Sequence, residues 1–454
     1  MAGDLGLGLF TDLYELTMAA AYHRGGLDGD ATFDLFVRAL PAPRGYLVAA
    51  GLEQVLAYLE GLAFPPAAVD YLAGLELFDD SFLHRLSTLR FTGEVWALPE
   101  GEVVFAEEPL LSVTAPLIEA QVVETYLLNA VAHQTMIASK ASRIASACGP
   151  GRSFVDFSAR RDHGADAALQ GARASVVGGA AGTSLVLAGA VHDLGLSGTM
   201  AHSYVMRHAS EEDAFRSYAR AFPDRTTLLI DTYDTVEGAR RAARVADELA
   251  VEGVTIGAVR LDSGDLDRLS REVRGVLDDA GHPEIRILAS GDLDEYRIAA
   301  LVAAGAPIDA FGVGTQLGTS ADAPSLGAVY KLVADAGGPR MKFSEGKVSF
   351  PGRKQVYRFD AGGEPDHDLL ALRSERVDGG RPLLELVMAA GRRVAPPEPI
   401  EVAAARRRAA VAALPPRFRA LEPARPPYPV RRSSGLRTLM SELATTLATQ
   451  RSGR

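Results

Sequence analysis

The stretch TTLLIDTYDTVEGARRAARVADELAVEGVTIGAVRLDSGD, residues 226–265, contains the pattern that determines the expected fold. It opens with a short apolar run ending before Asp231. Apolar residues at helical spacing follow up to Gly253, and a second apolar run ends before Asp262. Glycine just after a periodic segment is typical of a helix end. A strand, a helix and a second strand in this order predict a βα unit and a parallel sheet.

The same plan recurs on both sides of this stretch, between residues 150 and 335. The other candidate strands are SFVDFSARR (153–161), GTMAHSY (198–204), IRILASGD (285–292), IDAFGVGTQLG (308–318) and the weaker AVYKLV (328–333). A further amphipathic stretch, DRLSREVRGVLDDAG, stops at Gly281. The repetition predicts an α/β fold in this part of the chain.

Nearly every candidate strand changes from apolar to polar residues or glycine at its C-terminal end. The residues at these ends are Arg160, His202, Asp231, Arg260, Asp262, Asp292 and Gly314. In a parallel α/β barrel these ends meet at one mouth, whereas an open doubly wound sheet concentrates function at one switch point. Periodicity alone fits both folds. Polar ends on six successive strands favour an irregular parallel α/β barrel.

The flanking regions indicate an α+β domain. Residues 11–22, TDLYELTMAAAY, predict a helix in which Asp12 and Glu15 form a capping box. Strands are expected at ATFDLFVR, FTGEVWALPE and LLSVTA, and a hairpin or meander at residues 341–359, MKFSEGKVSFPGRKQVYRF. We expect an N-terminal α+β domain over 1–118 and the barrel over 119–335. A C-terminal segment over 336–454 returns to the first domain as a sandwich-like layer and ends in a Pro/Arg-rich tail.

Composition excludes several classes of protein. A net charge of −11 argues against sequence-independent binding of nucleic acid, which needs a positive face. Asp12 and Glu15 interrupt the apolar N-terminal run, so neither a signal peptide nor a membrane span is expected. Cys148 is the only cysteine, which excludes an internal disulfide and fits a reducing cytoplasm. Lysine occurs only at 140, 331, 342, 347 and 354, so each lysine is of interest.

Glycines and aspartates supply the first candidate site residues. Gly312, Gly314 and Gly318 in FGVGTQLGTS fit either a phosphate-binding nest of backbone N–H groups or a tight turn; their spacing is not the Rossmann fingerprint. The aspartates at the strand ends are suited to ribose hydroxyls or Mg²⁺. Each also precedes a helix, and for Asp234 and Asp265 a helix N-cap is at least an equal interpretation.

Two further features allow alternatives. Arg160 and Arg161 are adjacent, and on a strand only one of them can face the site, where it would bind a carboxylate or phosphate with two hydrogen bonds. His202 lies between small residues, which fits either a packed core imidazole or an accessible nucleophile.

Seven blocks in order resemble the nicotinate phosphoribosyltransferases, members of the type II phosphoribosyltransferase fold. The blocks are LFTDLYELTMAAAY, FDLFVRALP, GYLVAAGLEQVLAYL, SGTMAHSYVM, VRLDSGDL, AFGVGTQLGTS and KFSEGKVSFPGRKQVYR. The resemblance implies that nicotinate and 5-phosphoribosyl 1-diphosphate form nicotinate mononucleotide and diphosphate, coupled to hydrolysis of ATP. It also implies Mg²⁺, a cytoplasmic enzyme of NAD salvage and a homodimer with a shared active site.

The resemblance further implies roles for individual residues. His202 is implied as the phosphorylated catalytic histidine, with Asp262 beside it. Tyr14, reaching in from the neighbouring subunit, and Phe157 enclose the pyridine ring. The other implied substrate-binding residues are Arg160 or Arg161 and Arg260 for carboxylate and diphosphate, Asp262 and Asp292 for ribose, Gly291, Gly312, Gly314 and Thr315 for the 5′-phosphate, and Asp231 and Ser203.

One departure and one discriminating position qualify the resemblance. FSARR stands where the family often has Phe-Gly-Thr-Arg-Arg, so Ser158 is expected to narrow the ring slot or to alter the backbone there. Ser184 stands where related nicotinamide enzymes have an acid, which favours an anionic substrate. Quinolinate or nicotinamide phosphoribosyltransferase and a non-catalytic phosphate-binding barrel are the alternatives.

Overall fold

The computed structural model describes residues 3–27, 29–342 and 349–452. Contacts divide the chain into two compact units, one made of Met1–Met136 with Ser325–Arg454 and the other of Ile137–Pro324. The first unit therefore combines both ends of the chain, with limits at 136 and 325 where the sequence suggested 118 and 336. Residues 343–348 of the expected hairpin lie outside the described residues.

The secondary structure alternates between these regions as follows. The first part contains α1 (Leu13–Arg24), β1 (Asp30–Val37), β2 (Leu47–Val48), α2 (Leu52–Glu60), α3 (Pro66–Ala73), α4 (Asp80–Ser87), β3 (Glu94–Ala97), β4 (Val103–Val104), β5 (Pro109–Pro116), α5 (Leu117–Val122) and α6 (Glu124–Cys148). The middle part contains β6 (Ser153–Asp156), α7 (Ala165–Val177), α8 (Val186–His192), α9 (His202–Arg207), α10 (Glu211–Ala221), β7 (Thr226–Leu229), α11 (Thr235–Ala250), β8 (Ile256–Leu261), α12 (Leu266–Asp279), β9 (Arg286–Ala289), α13 (Glu295–Ala303), β10 (Ala310–Val313) and α14 (Thr315–Gly318). The last part contains β11 (Ala328–Asp335), β12 (Gly338–Pro339), β13 (Lys354–Ala361), β14 (Glu364–Leu372), β15 (Arg381–Pro382), β16 (Glu385–Ala389), β17 (Arg392–Arg393), α15 (Ile400–Ala413), α16 (Pro416–Arg419), β18 (Val430–Arg432) and α17 (Ser434–Ser452).

The first unit contains a seven-stranded sheet in the order β12-β11-β1-β5-β3-β16-β17 and a four-stranded sheet in the order β15-β13-β14-β18. The expected strands at 31–38, 91–100 and 110–115 are β1, β3 and β5. Interpreting AVYKLV as a seventh parallel strand was wrong, because β11 pairs antiparallel with β1. A short turn leads directly from β11 to β12, whereas a parallel neighbour needs a crossover connection.

The helix expected near residue 11 is α1, but its capping box does not form. Asp12 is the N-cap residue, yet its side chain makes no capping hydrogen bond. Instead the Thr125 hydroxyl lies 3.0 Å from Asp12 Oδ2 and donates to Glu15 Oε1 at 2.6 Å. Burial raises the pKa of Glu15 to about 7, despite its hydrogen bonds with Thr11 and Thr125. The buried carboxyl group is thus used for packing against α6 rather than for capping.

The second unit contains a five-stranded parallel sheet in the order β6-β10-β9-β8-β7. The predicted parallel strands and intervening helices are therefore present. Helices α11 and α12 end where expected, because Gly253 and Gly281 adopt left-handed backbone conformations just beyond them.

Closure of this sheet into a barrel is not observed among the described residues. Strands β6 and β7 are the edges of the ladder, and only isolated parallel bridges from Asp156 to Thr183 and from Thr183 to Leu196 extend it beyond β6. The chain has a mixed α/β fold with parallel and antiparallel sheets. No helix in the described part of the chain is both long and apolar enough to cross a membrane.

Candidate active site

Arg260, Asp262 and Ser290 form a closed hydrogen-bonded group at the carboxyl ends of β8 and β9. Arg260 donates from Nη2 to Asp262 Oδ1 at 2.7 Å and from Nε to Ser290 Oγ at 2.8 Å. Ser290 Oγ in turn donates to Asp262 Oδ1 at 2.5 Å. Burial would raise the pKa of Asp262, but the Ser290 hydrogen bond and the Arg260 charge outweigh it and hold this pKa below its usual range. The group is therefore held as a carboxylate.

Asp231 connects this group to the end of β7. Its Oδ2 accepts hydrogen bonds from the Asp262 backbone N–H at 3.0 Å and from Ser263 Oγ at 2.6 Å. The side chain is 1% exposed, and its Oδ1 has no hydrogen-bond partner in the described part of the chain. A buried carboxylate oxygen without a donor is costly unless a cation or a ligand reaches it.

His202 faces both of these carboxylates. Its Nε2 lies 4.0 Å from Asp231 Oδ1 and 3.9 Å from Asp262 Oδ2, and its Nδ1 lies 3.1 Å from Thr232 Oγ1. Placing His202 at a strand end was wrong, because it is the first residue of α9 and GTMAHSY forms no strand. Tyr204 N–H already donates to Ala201 O, which starts a helical turn in place of an extended run. The imidazole is 41% exposed, so it is an accessible side chain rather than a core residue.

Phe157 and Gly312 form the apolar side of the same region. The Phe157 N–H donates to Val313 O at 2.8 Å, and the Arg260 guanidinium carbon lies 5.7 Å from the Phe157 ring centroid. A Cβ atom on Gly312 would lie only 2.5 Å from Phe157 Cε2. Glycine at 312 therefore makes room for the aromatic ring.

Ser158 does not produce either effect that the sequence suggested. Its backbone is right-handed helical, a conformation open to any residue, and its hydroxyl donates to Asp156 Oδ1 at 2.6 Å. That hydroxyl also lies 3.2 Å from Asp162 Oδ2. A Cβ atom on Gly318 would lie 1.8 Å from Asp162 Oδ1, so Gly318 leaves space for this polar pair. Its role in the structure is steric.

Arg160 and Arg161 do not lie on a strand. They lie on a 3-10 turn, Ala159–Arg161, and both side chains are exposed. The expectation that strand geometry would allow only one of them to face the site was therefore wrong.

The remaining phosphate and ribose candidates lie in the two loops after β9 and β10. Gly291 and Asp292 both have positive φ, and a Cβ atom on Gly291 would lie 2.1 Å from the Asp262 carbonyl oxygen. Only glycine fits there. Gly314 is the N-cap of α14 and Thr315 its first residue. Asp292 is exposed, and its carbonyl oxygen accepts from Arg297.

The structure separates caps from candidate ligands among the aspartates. Asp234 and Asp265 accept hydrogen bonds from Glu237 N–H and Arg268 N–H and are helix N-caps. Asp231 and Asp262 are not caps. Ser203 is exposed on α9, and Tyr14 lies on α1 of the first unit with 47% exposure.

Several polar residues at this site were missed by sequence reasoning. They are Thr199, whose Oγ1 accepts from Arg260 Nη1 at 3.1 Å, Thr232, Ser263 and Ser290. Ser290 and Ser263 directly neighbour the glycine or aspartate of a strand end, and that position was the available signal. Thr199 and Thr232 carry no such signal. In the described ranges no group of three or more His, Cys, Asp or Glu residues forms a metal cluster.

Comparisons with known proteins agree with this arrangement. Residues 9–132 match the model of the nicotinate phosphoribosyltransferase (NAPRTase) N-terminal domain. The nicotinate phosphoribosyltransferase pncB2 of Mycobacterium tuberculosis is 49% identical over 423 residues, which cover 93% of this chain and 90% of that protein. The chain belongs to the nicotinate phosphoribosyltransferase family.

Two other members of the nicotinate phosphoribosyltransferase family support this assignment. The Bacillus subtilis enzyme is 44% identical over 385 residues, covering 83% of this chain and 78% of that protein. The crystal structure of human nicotinic acid phosphoribosyltransferase matches with a TM-score of 0.84 and 29% identity, covering 95% of this chain and 99% of that chain. The family resemblance inferred from the seven sequence blocks is confirmed.

Proposed function

We propose that the chain joins nicotinate to 5-phosphoribosyl 1-diphosphate, with ATP and water as co-substrates. The products are nicotinate mononucleotide, diphosphate, ADP and phosphate, which makes this the first step of NAD salvage from nicotinate. Family membership supports this reaction. Within the structure, the observation that carries it is the convergence of His202, Asp231 and Asp262 with Arg260 at adjacent strand ends.

The transfer needs positioning and charge stabilisation more than proton transfer. The pyridine nitrogen of nicotinate carries a free lone pair, so it attacks C1′ of the ribose as diphosphate leaves, and no general base is required. Arg260 is fixed by Ser290 and Asp262, which keeps one guanidinium edge directed past Phe157 toward the departing charge. Phe157 supplies a flat apolar surface for the pyridine ring.

In this proposal His202 receives the γ-phosphoryl group of ATP. One imidazole nitrogen attacks the phosphorus while the bond to the β-phosphate oxygen breaks and ADP leaves; water later hydrolyses the phosphoramidate to inorganic phosphate. Thr232 fixes the ring through Nδ1. Ser203, next to His202 and exposed, is placed for contact with the bound phosphate.

Mg²⁺ is part of the proposal because the donor set suits it. The buried Asp231 Oδ1 lacks a hydrogen-bond donor within the described ranges, and Asp262 is held ionised beside it. Mg²⁺ is commonly bound by one or two carboxylates together with substrate phosphate oxygens, so a protein cluster of three ligands is not required. The ion would supply charge neutralisation of the diphosphate.

The finer assignments complete the proposal. Gly291, Gly314 and Thr315 bind the 5′-phosphate through backbone N–H groups, while Asp292 binds ribose. Arg160 and Arg161, both exposed on one turn, are available for the nicotinate carboxylate. We also propose that the parallel sheet is the wall of an irregular barrel, that Tyr14 acts in a neighbouring copy of a homodimer, and that the enzyme is cytoplasmic.

A substrate panel tests the proposed function. Nicotinate, nicotinamide and quinolinate are each supplied with phosphoribosyl diphosphate, with and without ATP, and the mononucleotides are quantified by chromatography. We expect nicotinate mononucleotide to form fastest, and faster with ATP. Preference for nicotinamide would refute the argument from Ser184, and preference for quinolinate would assign a different enzyme of the same fold.

A further inference from the structure

Lys140 is a fully buried lysine in a chain that contains only five lysines. It lies on α6 with 1% of its side chain exposed. Its ammonium group lies 2.5 Å from Glu295 Oε2 and 2.8 Å from Asp322 Oδ1. A buried ammonium group is tolerated only with such partners, and apolar residues of similar size commonly serve stability as well. The position of the partners therefore matters more than the strength of the pairs.

The two partners follow the two loops that carry the candidate phosphate-binding residues. Glu295 is the first residue of α13, directly beyond the Gly291–Asp292 turn at the end of β9. Asp322 lies just beyond α14, which follows Gly314 at the end of β10. Lys140 is thus one cation that contacts both segments.

The Glu295 end of this connection is rigid. Arg143, one turn further along α6, donates from Nε to Glu295 Oε1 at 2.8 Å and from Nη2 to the Tyr296 hydroxyl at 2.9 Å. Burial would raise the pKa of Glu295, but the charge of Lys140 and the hydrogen bonds from both cations lower it. Two cations balance two carboxylates, so the cluster offers a phosphate little net positive charge, and what it supplies is geometry.

We propose that Lys140 is a positioning residue for the 5′-phosphate of phosphoribosyl diphosphate. This inference rests on the proposed function. Backbone N–H groups from two separate loops can bind one phosphate only if the spacing between the loops is kept. Lys140 sets that spacing from beneath, by holding the segment after each loop, and does not itself contact the substrate.

The test compares variants by direct binding of phosphoribosyl diphosphate, measured by calorimetry, and by steady-state kinetics. Lys140→Met removes the ammonium group at similar volume. Asp322→Asn removes one charge at a side chain that is 23% exposed, so this variant is expected to fold even if Lys140→Met does not. Both should weaken binding of phosphoribosyl diphosphate by roughly 10-fold or more, with kcat and the KM for nicotinate nearly unchanged.

Arg274→Met is the matched control. Arg274 also ties a helix to a strand of the same unit, through Asp278 and the carbonyl oxygens of His282 and Ile285, but at the opposite end of β9. It should lower the melting temperature without changing the binding of phosphoribosyl diphosphate, and Lys140→Arg should restore part of the binding lost in Lys140→Met.

The outcomes separate this inference from the proposed function. Asp322→Asn that binds phosphoribosyl diphosphate like the wild type overturns the positioning role, as does an equal loss in Arg274→Met. Wild-type protein that binds phosphoribosyl diphosphate but makes no nicotinate mononucleotide overturns the proposed function and leaves the binding comparison valid.

Discussion

Gly312→Ala is the most direct test of the geometry around Phe157. A Cβ atom at 312 would lie 2.5 Å and 2.6 Å from Phe157 Cε2 and Cδ2, and 3.3 Å from Ser290 Cβ. Non-bonded carbon atoms normally pack at ~3.5–4.0 Å, so the ring must move by roughly 1 Å. The φ of Gly312 is not in the left-handed region, so the effect arises from contact rather than backbone strain.

Two measurable consequences follow from that displacement. Overpacking costs ~1–3 kcal/mol, of which the lower backbone entropy of alanine offsets ~0.5–1 kcal/mol. If Phe157 stacks on nicotinate, loss of an aromatic pair worth ~0.5–1.5 kcal/mol raises the KM for nicotinate roughly 2- to 13-fold. The KM for phosphoribosyl diphosphate should stay unchanged.

Chemical denaturation and steady-state kinetics measure the two effects separately. Gly275→Ala is the control, since Gly275 lies within α12 and a Cβ there meets nothing within 4 Å. It should stabilise the protein by ~0.5–1 kcal/mol with no kinetic effect. An unchanged KM for nicotinate in a destabilised Gly312→Ala variant would show that Phe157 does not contact the substrate, and unchanged stability would contradict the packing itself.

Three other substitutions test the rest of the site. His202→Ala should abolish ATP hydrolysis and its rate benefit while slow transfer without ATP continues; undiminished ATP turnover would exclude a phosphohistidine at this position. Arg260→Lys should lower kcat/KM for phosphoribosyl diphosphate on the order of 10- to 100-fold, because an ammonium cannot keep the separate hydrogen bonds to Asp262, Ser290 and Thr199; a change below threefold contradicts this. Burial and the charge of Asp156 raise the pKa of Asp162 to about 6, above its unfolded value, so its contribution is favourable at low pH and is lost as pH rises through 6. Asp162→Asn should therefore flatten the fall in melting temperature between pH 4 and about 6, and identical pH slopes in both proteins would refute this.

Much of the fold was predictable because it depends on local patterns. Alternating apolar runs and amphipathic stretches predicted the parallel sheet, and Gly253 and Gly281 marked helix ends because glycine readily adopts positive φ. Polar residues directly after β7, β8 and β9 predicted where the site lies. Asp234 and Asp265 could not be separated from Asp231 and Asp262 by sequence, because all four follow strands and precede helices.

The errors came from contacts between residues distant in sequence. AVYKLV has the composition of a buried strand, but its antiparallel partner β1 lies nearly 300 residues away. Glu15 has the spacing of a capping box, yet Thr125 on α6 captures its carboxyl group. GTMAHSY has β-compatible residues, but His202 begins a helix.

The sequence by itself determined the class of fold, the family and most of the residue types at the site, because these depend on periodicity, glycine conformation and ordered motifs. Only the tertiary structure decided which carboxylates face His202, that Ser290 completes the Arg260 group, and that Gly312 and Gly318 make room for neighbouring side chains. It also decided the partners of Lys140, which come from segments more than 150 residues further along the chain. Such contacts are set by packing, since side chains brought together from separate strands share no local pattern.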